Sequence, residues 1–193
     1  MKRFKGSKGT ILIIILALLV VGYYYYLSHR EVTPKKSDDI KILNNVEKVL
    51  MRDLESDYPQ TPREVVKYFS EITMCFYASE YSDEELEKLA VKIRQIYDDE
   101  LVKSQSQEQY VASLKIDVED YKEAKRVISE YKPSSSLDVE TFYEDGYEWA
   151  RMYCIYTVKE EGSMYPITLK FLLRKDKENH FKIYGWQNVE PTK

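Results

Sequence analysis

Two histidines, two cysteines, six glycines and six prolines in 193 residues leave several chemistries without their raw material. His29 and His180 stand far apart, and no Cys-x-x-Cys or His-x-x-x-His spacing occurs, so a zinc site has no ligand set. The acidic run Asp98-Asp99-Glu100 lacks the ligand alternation of a calcium loop and reads as a solvated helix end. No Ser/His/Asp order can be assembled, because His180 alone would have to serve as the base. Gly6-Ser7-Lys8-Gly9-Thr10 echoes a phosphate loop, but with the wrong spacing and no strand before it. Asn44, Asn45, Asn179 and Asn188 are not followed by the hydroxyl residue of a glycosylation site, which suits a bacterial surface. No catalytic residue, metal ligand or cofactor is therefore assigned, and ligand-binding residues stay unassigned.

Long apolar runs are equally scarce: there is one, Ile11 to Leu27, reading ILIIILALLVVGYYYYL. As a helix at ~1.5 Å per residue it is about 26 Å long, the short end of what spans a bilayer. Tyr23, Tyr24, Tyr25 and Tyr26 gather at one end, where ring bodies face inward and hydroxyls reach the membrane interface. Lys2, Arg3, Lys5 and Lys8 flank the other end with no acidic residue among them. The positive-inside bias then keeps the N-terminus cytoplasmic and places residues 31–193 outside. A cleaved signal peptide would need small residues at an A-x-A-like site, whereas this run ends Tyr-Tyr-Leu-Ser-His-Arg. The expected layout is a basic cytoplasmic flank over 1–9, an uncleaved transmembrane anchor over 10–28, a tether over 29–37 and an extracytoplasmic α+β domain over 38–190.

Five of the twenty-nine basic residues and none of the thirty-three acidic ones lie within the first thirty positions, so the outer part is acidic by nine charges. That balance argues against nucleic acid and anionic wall polymers as partners. Cys75 falls on the apolar side of a helix and Cys154 in a strand. Outside the cytoplasm they can pair, or stand as two small buried hydrophobes.

Along the domain the first half has helical periodicity. Ser37 caps a helix carrying Ile40, Leu43, Val46, Val49, Leu50 and Leu54, ended by Tyr58-Pro59-Gln60. Thr61-Pro62-Arg63-Glu64 is a capping box with proline at the first helical position. Behind it Val65, Tyr68, Phe69, Ile72, Cys75 and Phe76 make one stripe. Ser82-Asp83-Glu84-Glu85 opens another helix, with Leu86, Leu89, Ile93, Ile96 and Tyr97 on one face. Lys103 to Gln109 reads as a polar break before a weaker helix with Tyr110, Val111 and Leu114. From Ala124 the pattern turns to β-branched and aromatic runs: Ala124–Tyr131, Leu137–Tyr143, Trp149–Val158, Tyr165–Leu173 and Phe181–Trp186. Short polar turns such as Glu144-Asp145-Gly146 and Glu160-Glu161-Gly162 join them as antiparallel hairpins. Helices followed by a five-strand meander predict an α+β domain, with helices packed on one face of a curved antiparallel sheet.

That order, with a long last strand ending in Tyr184-Gly185-Trp186, resembles the nuclear-transport-factor-2-like superfamily. The Thr61-Pro62-Arg63-Glu64-Val65-Val66-Lys67 start, the Ser82-Asp83-Glu84-Glu85-Leu86 helix and the N-terminal anchor together resemble a family of uncharacterised bacterial single-pass membrane proteins. The likeness covers roughly residues 38–190 and consists of caps and core positions. It implies a cone between helices and sheet. The superfamily includes enzymes, ligand-binding cones and assembly modules, so the fold alone does not choose among them. Its isomerases and dehydratases use a carboxylate or histidine inside the cone. The candidates here are strand acids such as Glu140 and Glu148, which fall in alternating strands, where a charge faces outward by default.

Aromatic residues are the surplus: eighteen tyrosines, six phenylalanines and two tryptophans. In the strand around Trp149 both faces are rich, Trp149, Tyr153 and Ile155 on one and Met152, Cys154 and Tyr156 on the other. This predicts cover on both sides, from the Ile40–Leu54 helix or from a partner. The leading expectation is a non-catalytic, membrane-tethered interaction module. It would dock an envelope protein or a second copy through Tyr147, Trp149, Tyr153 or Trp186 on a sheet face. The alternative is a small-molecule-binding or enzymatic cone. A buried, unpaired acid or histidine in an open pocket would favour chemistry.

Overall fold

Side-chain acceptors fix where each described helix begins in the computed structural model, which describes residues 44–190. The anchor, the tether and Ser37 lie outside those residues. Among the described residues no helix is long and apolar enough to cross a membrane. Helix α1 (Asn45–Met51) starts at Asn44, whose side chain accepts from the Glu47 N–H at 2.7 Å while Glu47 reaches back to the Asn44 N–H. Asn44 is extended (φ −66°, ψ 167°), so a single helix from Ser37 to Leu54 is not formed. The chain leaves the helix at Arg52, well before Tyr58, and Leu54 is buried from a turn. Helices α2 (Pro62–Ala78) and α3 (Asp83–Arg94) carry the expected capping boxes, Thr61 with Glu64 and Ser82 with Glu85.

The expected break after Lys103 is shorter than its polarity suggested. A five-residue helix α4 (Asp99–Lys103) is followed at once by α5 (Gln107–Glu123), opened by a further box between Ser106 and Gln109. Glutamine in place of glutamate at the third position hid that start in the sequence. The run Asp98-Asp99-Glu100 is a solvated end only in part: Asp99 and Glu100 are exposed, but Asp98 is buried and caps α4 through the Glu100 N–H.

The second half is one antiparallel sheet of β1 (Arg126–Pro133), β2 (Glu140–Glu144), β3 (Tyr147–Glu160), β4 (Ser163–Lys175) and β5 (Phe181–Val189). It is not a simple meander. β2 through β5 pair in sequence, but β1 joins the same edge of β3 as β2, opposite its other half. Leu137, expected in a strand, sits in a one-turn 3-10 helix (Ser136–Asp138) and is exposed. Both tight hairpins place two residues in the left-handed region, Asp145 with Gly146 and Glu161 with Gly162. Such turns match the twist of the flanking strands.

A single alternation positions the interior. Along β3, Ala150, Met152, Cys154, Tyr156 and Val158 face the helices and are buried. They stand beside Phe171 and Leu173 of β4, in register with Met152 and Ala150. The opposite face is not covered throughout: Ile155 is exposed, and Arg151 and Tyr153 are only partly buried. The expected cover on both sides of β3 is therefore confined to the Trp149 end. A register shift in the β4–β5 pairing at Leu172/Leu173 turns β5 over locally. Ile183 and Trp186 then share the inner face although three positions apart, while Tyr184 points outward. Alternation alone would have placed Trp186 with Tyr184.

Candidate functional site

Helices α2 and α5 and the inner face of β3–β5 enclose an aromatic pocket of about 320 Å³. The α2 stripe delivers Phe69, Phe76 and Tyr77. The α5 residues Tyr110, Leu114, Asp117 and Tyr121, at steps of four, three and four, form one face of that helix. Tyr156, Ile167, Leu169 and Trp186 close the sheet side. Trp186 leans on Phe69 (ring centroids 5.1 Å) and Tyr97 (5.6 Å), yet stays 41 % exposed, as a ring at a mouth does.

Polar groups in the lining are mostly tyrosine hydroxyls. Tyr77 donates to the Asp117 carboxylate, and its ring lies 4.5 Å from that of Tyr121. The Tyr97 and Tyr110 hydroxyls meet at 3.3 Å. Burial raises the Tyr77 and Tyr97 phenols above the ordinary value, and the Asp117 contact raises Tyr77 further. These are neutral hydroxyls at physiological pH. Deeper in, Ser70 donates to the Val66 carbonyl at 2.8 Å and meets the Tyr156 hydroxyl at 2.6 Å. Among the described residues no buried side-chain nitrogen or oxygen lacks a partner.

The residues singled out by sequence fall in three places. Trp186, Phe69 and Phe76 meet at the pocket. Tyr147 and Trp149 lie on the outer face with Tyr184, all around Arg174, whose guanidinium carbon is 4.6 to 5.5 Å from the three ring centroids. Tyr153 lies apart from both groups. Glu140 pairs with Arg151 and Glu148 with Lys175, each at 3.0 Å and away from the pocket. Cys75 and Cys154 are free thiols, so no disulfide links α2 to the sheet. Burial pushes the Cys75 thiol up to about 11, which keeps it protonated. Asp117, Tyr121 and Arg174 were not singled out. The first two were legible in the 110, 114, 117, 121 spacing once the helix start at Ser106 is placed.

One group of metal-ligand type exists among the described residues, Asp176, Glu178 and His180 in the β4–β5 turn, with ligand atoms within 4.8 Å of one another. Asp176 already accepts from the Glu178 and His180 N–H groups at 2.9 and 2.8 Å and has the Lys182 ammonium 3.9 Å away. His180 stacks on Tyr58 at 4.2 Å. This is a capped turn. A second groove of about 320 Å³ between α1 and α2 is lined by charged Lys48, Arg52 and Glu71, with Arg52 lying over the Tyr68 ring at 4.9 Å.

Over residues 1–186 the chain matches the family described as Domain of unknown function (DUF6715), and it belongs to that family. No curated protein matches it.

Proposed function

We propose that this member of the family is a membrane-tethered, extracytoplasmic binding module without catalytic activity, whose small ligand enters the aromatic pocket. The observation that carries this reading is an open, ring-lined cavity between α2, α5 and the sheet, near the lower end of the size range of ligand pockets. Its one lining carboxylate, Asp117, is solvent-exposed and already accepts from Tyr77. That arrangement suits recognition better than proton transfer. Helices first and a curved antiparallel sheet after support a cone of the nuclear-transport-factor-2-like kind. The outer sheet face is the weaker docking surface, because Tyr147, Trp149 and Tyr184 already pack around Arg174.

The uncharged fluorescent probe N-phenylnaphthylamine is expected to brighten on binding the protein. Leu169→Trp, which replaces an isobutyl group of the lining by a bulkier indole on β4, should abolish the signal. Equal brightening by both proteins would remove the pocket from consideration. The tether is tested separately: protease added to intact bacterial cells should digest residues 44–190, as the basic flank ahead of Ile11 requires. Full protection would reverse the topology.

A further inference from the structure

We infer that the pocket selects a small organic cation, an alkylammonium group carried on an apolar body; this rests on the pocket being the ligand site. The lining is chemically one-sided. Tyr77, Tyr97, Tyr110, Tyr121 and Trp186 present rings, whose faces are electron-rich, and Asp117 is the one charged side chain among the described residues that line it. A cation is thereby attracted twice, by ring quadrupoles and by a carboxylate. An anion meets the repulsion of Asp117 with no cation in the wall to offset it.

The nearby cations are committed elsewhere. Arg94 lies over the Tyr110 ring at 5.3 Å, but its guanidinium donates to the Val102 and Gln105 carbonyls at 2.9 and 2.8 Å. Arg126 is 6.0 Å from the Tyr121 ring and is paired to Glu160 at 2.8 Å. Neither lines the cavity. The Tyr77 hydroxyl occupies Asp117 Oδ2 and fixes the carboxylate at the wall. The acidic excess of the domain adds a long-range bias of the same sign.

The test compares phenyltrimethylammonium with tert-butylbenzene, its uncharged isostere, by calorimetry on the full chain in nanodiscs, with empty nanodiscs subtracted. The cation is expected to bind at least tenfold tighter than the isostere, and Asp117→Asn should erase most of that preference. Asp117 is exposed and the amide keeps its shape, so circular dichroism of the variant should match the parent. Equal binding of the two probes would overturn the cation assignment and leave the pocket reading standing. A cation preference that survives Asp117→Asn would overturn the role of the carboxylate. Absence of binding by both probes would sink the pocket reading as well.

Discussion

Arg174→Ala is expected to destabilise the domain by ~3–5 kcal/mol, the cost of stranding one member of a buried ion pair. The Arg174 side chain is only 13 % exposed. It reaches Asp98 through two nitrogens at 2.9 and 2.6 Å, and Glu100 at 2.7 Å. Its removal leaves Asp98 buried with no cation. Asp98 in turn caps α4, and its N–H donates to the Ile183 carbonyl, so the loss also loosens the segment that lies along β5. The three rings around the guanidinium would lose their cation together. Glu100→Ala should cost far less, because that carboxylate is 56 % exposed and solvent takes over. Urea unfolding followed by circular dichroism checks both. A parental midpoint for Arg174→Ala would mean that the cluster adds geometry and no stability.

Phe171→Ala and Phe76→Ala are both expected to cost ~3–5 kcal/mol, with Phe171→Ala the more severe. Phe171 is fully enclosed and meets Phe69 edge-on at 5.2 Å, so its truncation leaves a closed void between α2 and β4. Phe76 is also buried but borders the existing pocket. The space left by its ring joins a cavity that opens to solvent, and water or ligand can fill it. The same unfolding experiment orders the pair. A neutral Phe76→Ala would mean that the α2 stripe is not core, and the packing described above would be wrong. Phe76→Ala should also admit bulkier probes than the parent does, a gain that Phe171→Ala would not reproduce.

How much of this was legible in advance follows from which interactions are local. The starts of α2 and α3 were readable because a capping box is a contact within four residues. The tight hairpins were readable because Asp-Gly and Glu-Gly suit positive φ at the turn. Buried Val65, Phe69, Ile72 and Phe76 follow from period alone, whereas both faces of β3 read as apolar and the row that faces the helices was not distinguishable. Outward, ion-paired Glu140 follows from strand alternation and the cost of burying a charge, whereas Glu148 shares the parity of Ala150 and Met152 and is half-buried at the end of β3, where Lys175 pairs with it.

The remainder was decided by contacts between residues far apart in sequence. Asp98 looked like part of a solvated acidic end because its partner, Arg174, lies seventy-six positions away. Trp186 was expected on an accessible sheet face, and which face could not be read because a register shift between Leu172 and Leu173, invisible to a period-two reading, turns it to the helix side. β1 and β2 share one edge of β3, which no hydrophobic pattern specifies. The pocket itself arises where Tyr77, Asp117 and Trp186, from two helices and the last strand, come to one place. By itself the sequence determined the membrane-length apolar run, the α+β order, the principal helix starts and the core-facing stripes, since each depends on spacing within one segment. Strand pairing, the direction of Trp186, the burial of Asp98 and the convergence of the tyrosine rings were decided by tertiary structure, because chain closure and packing select them.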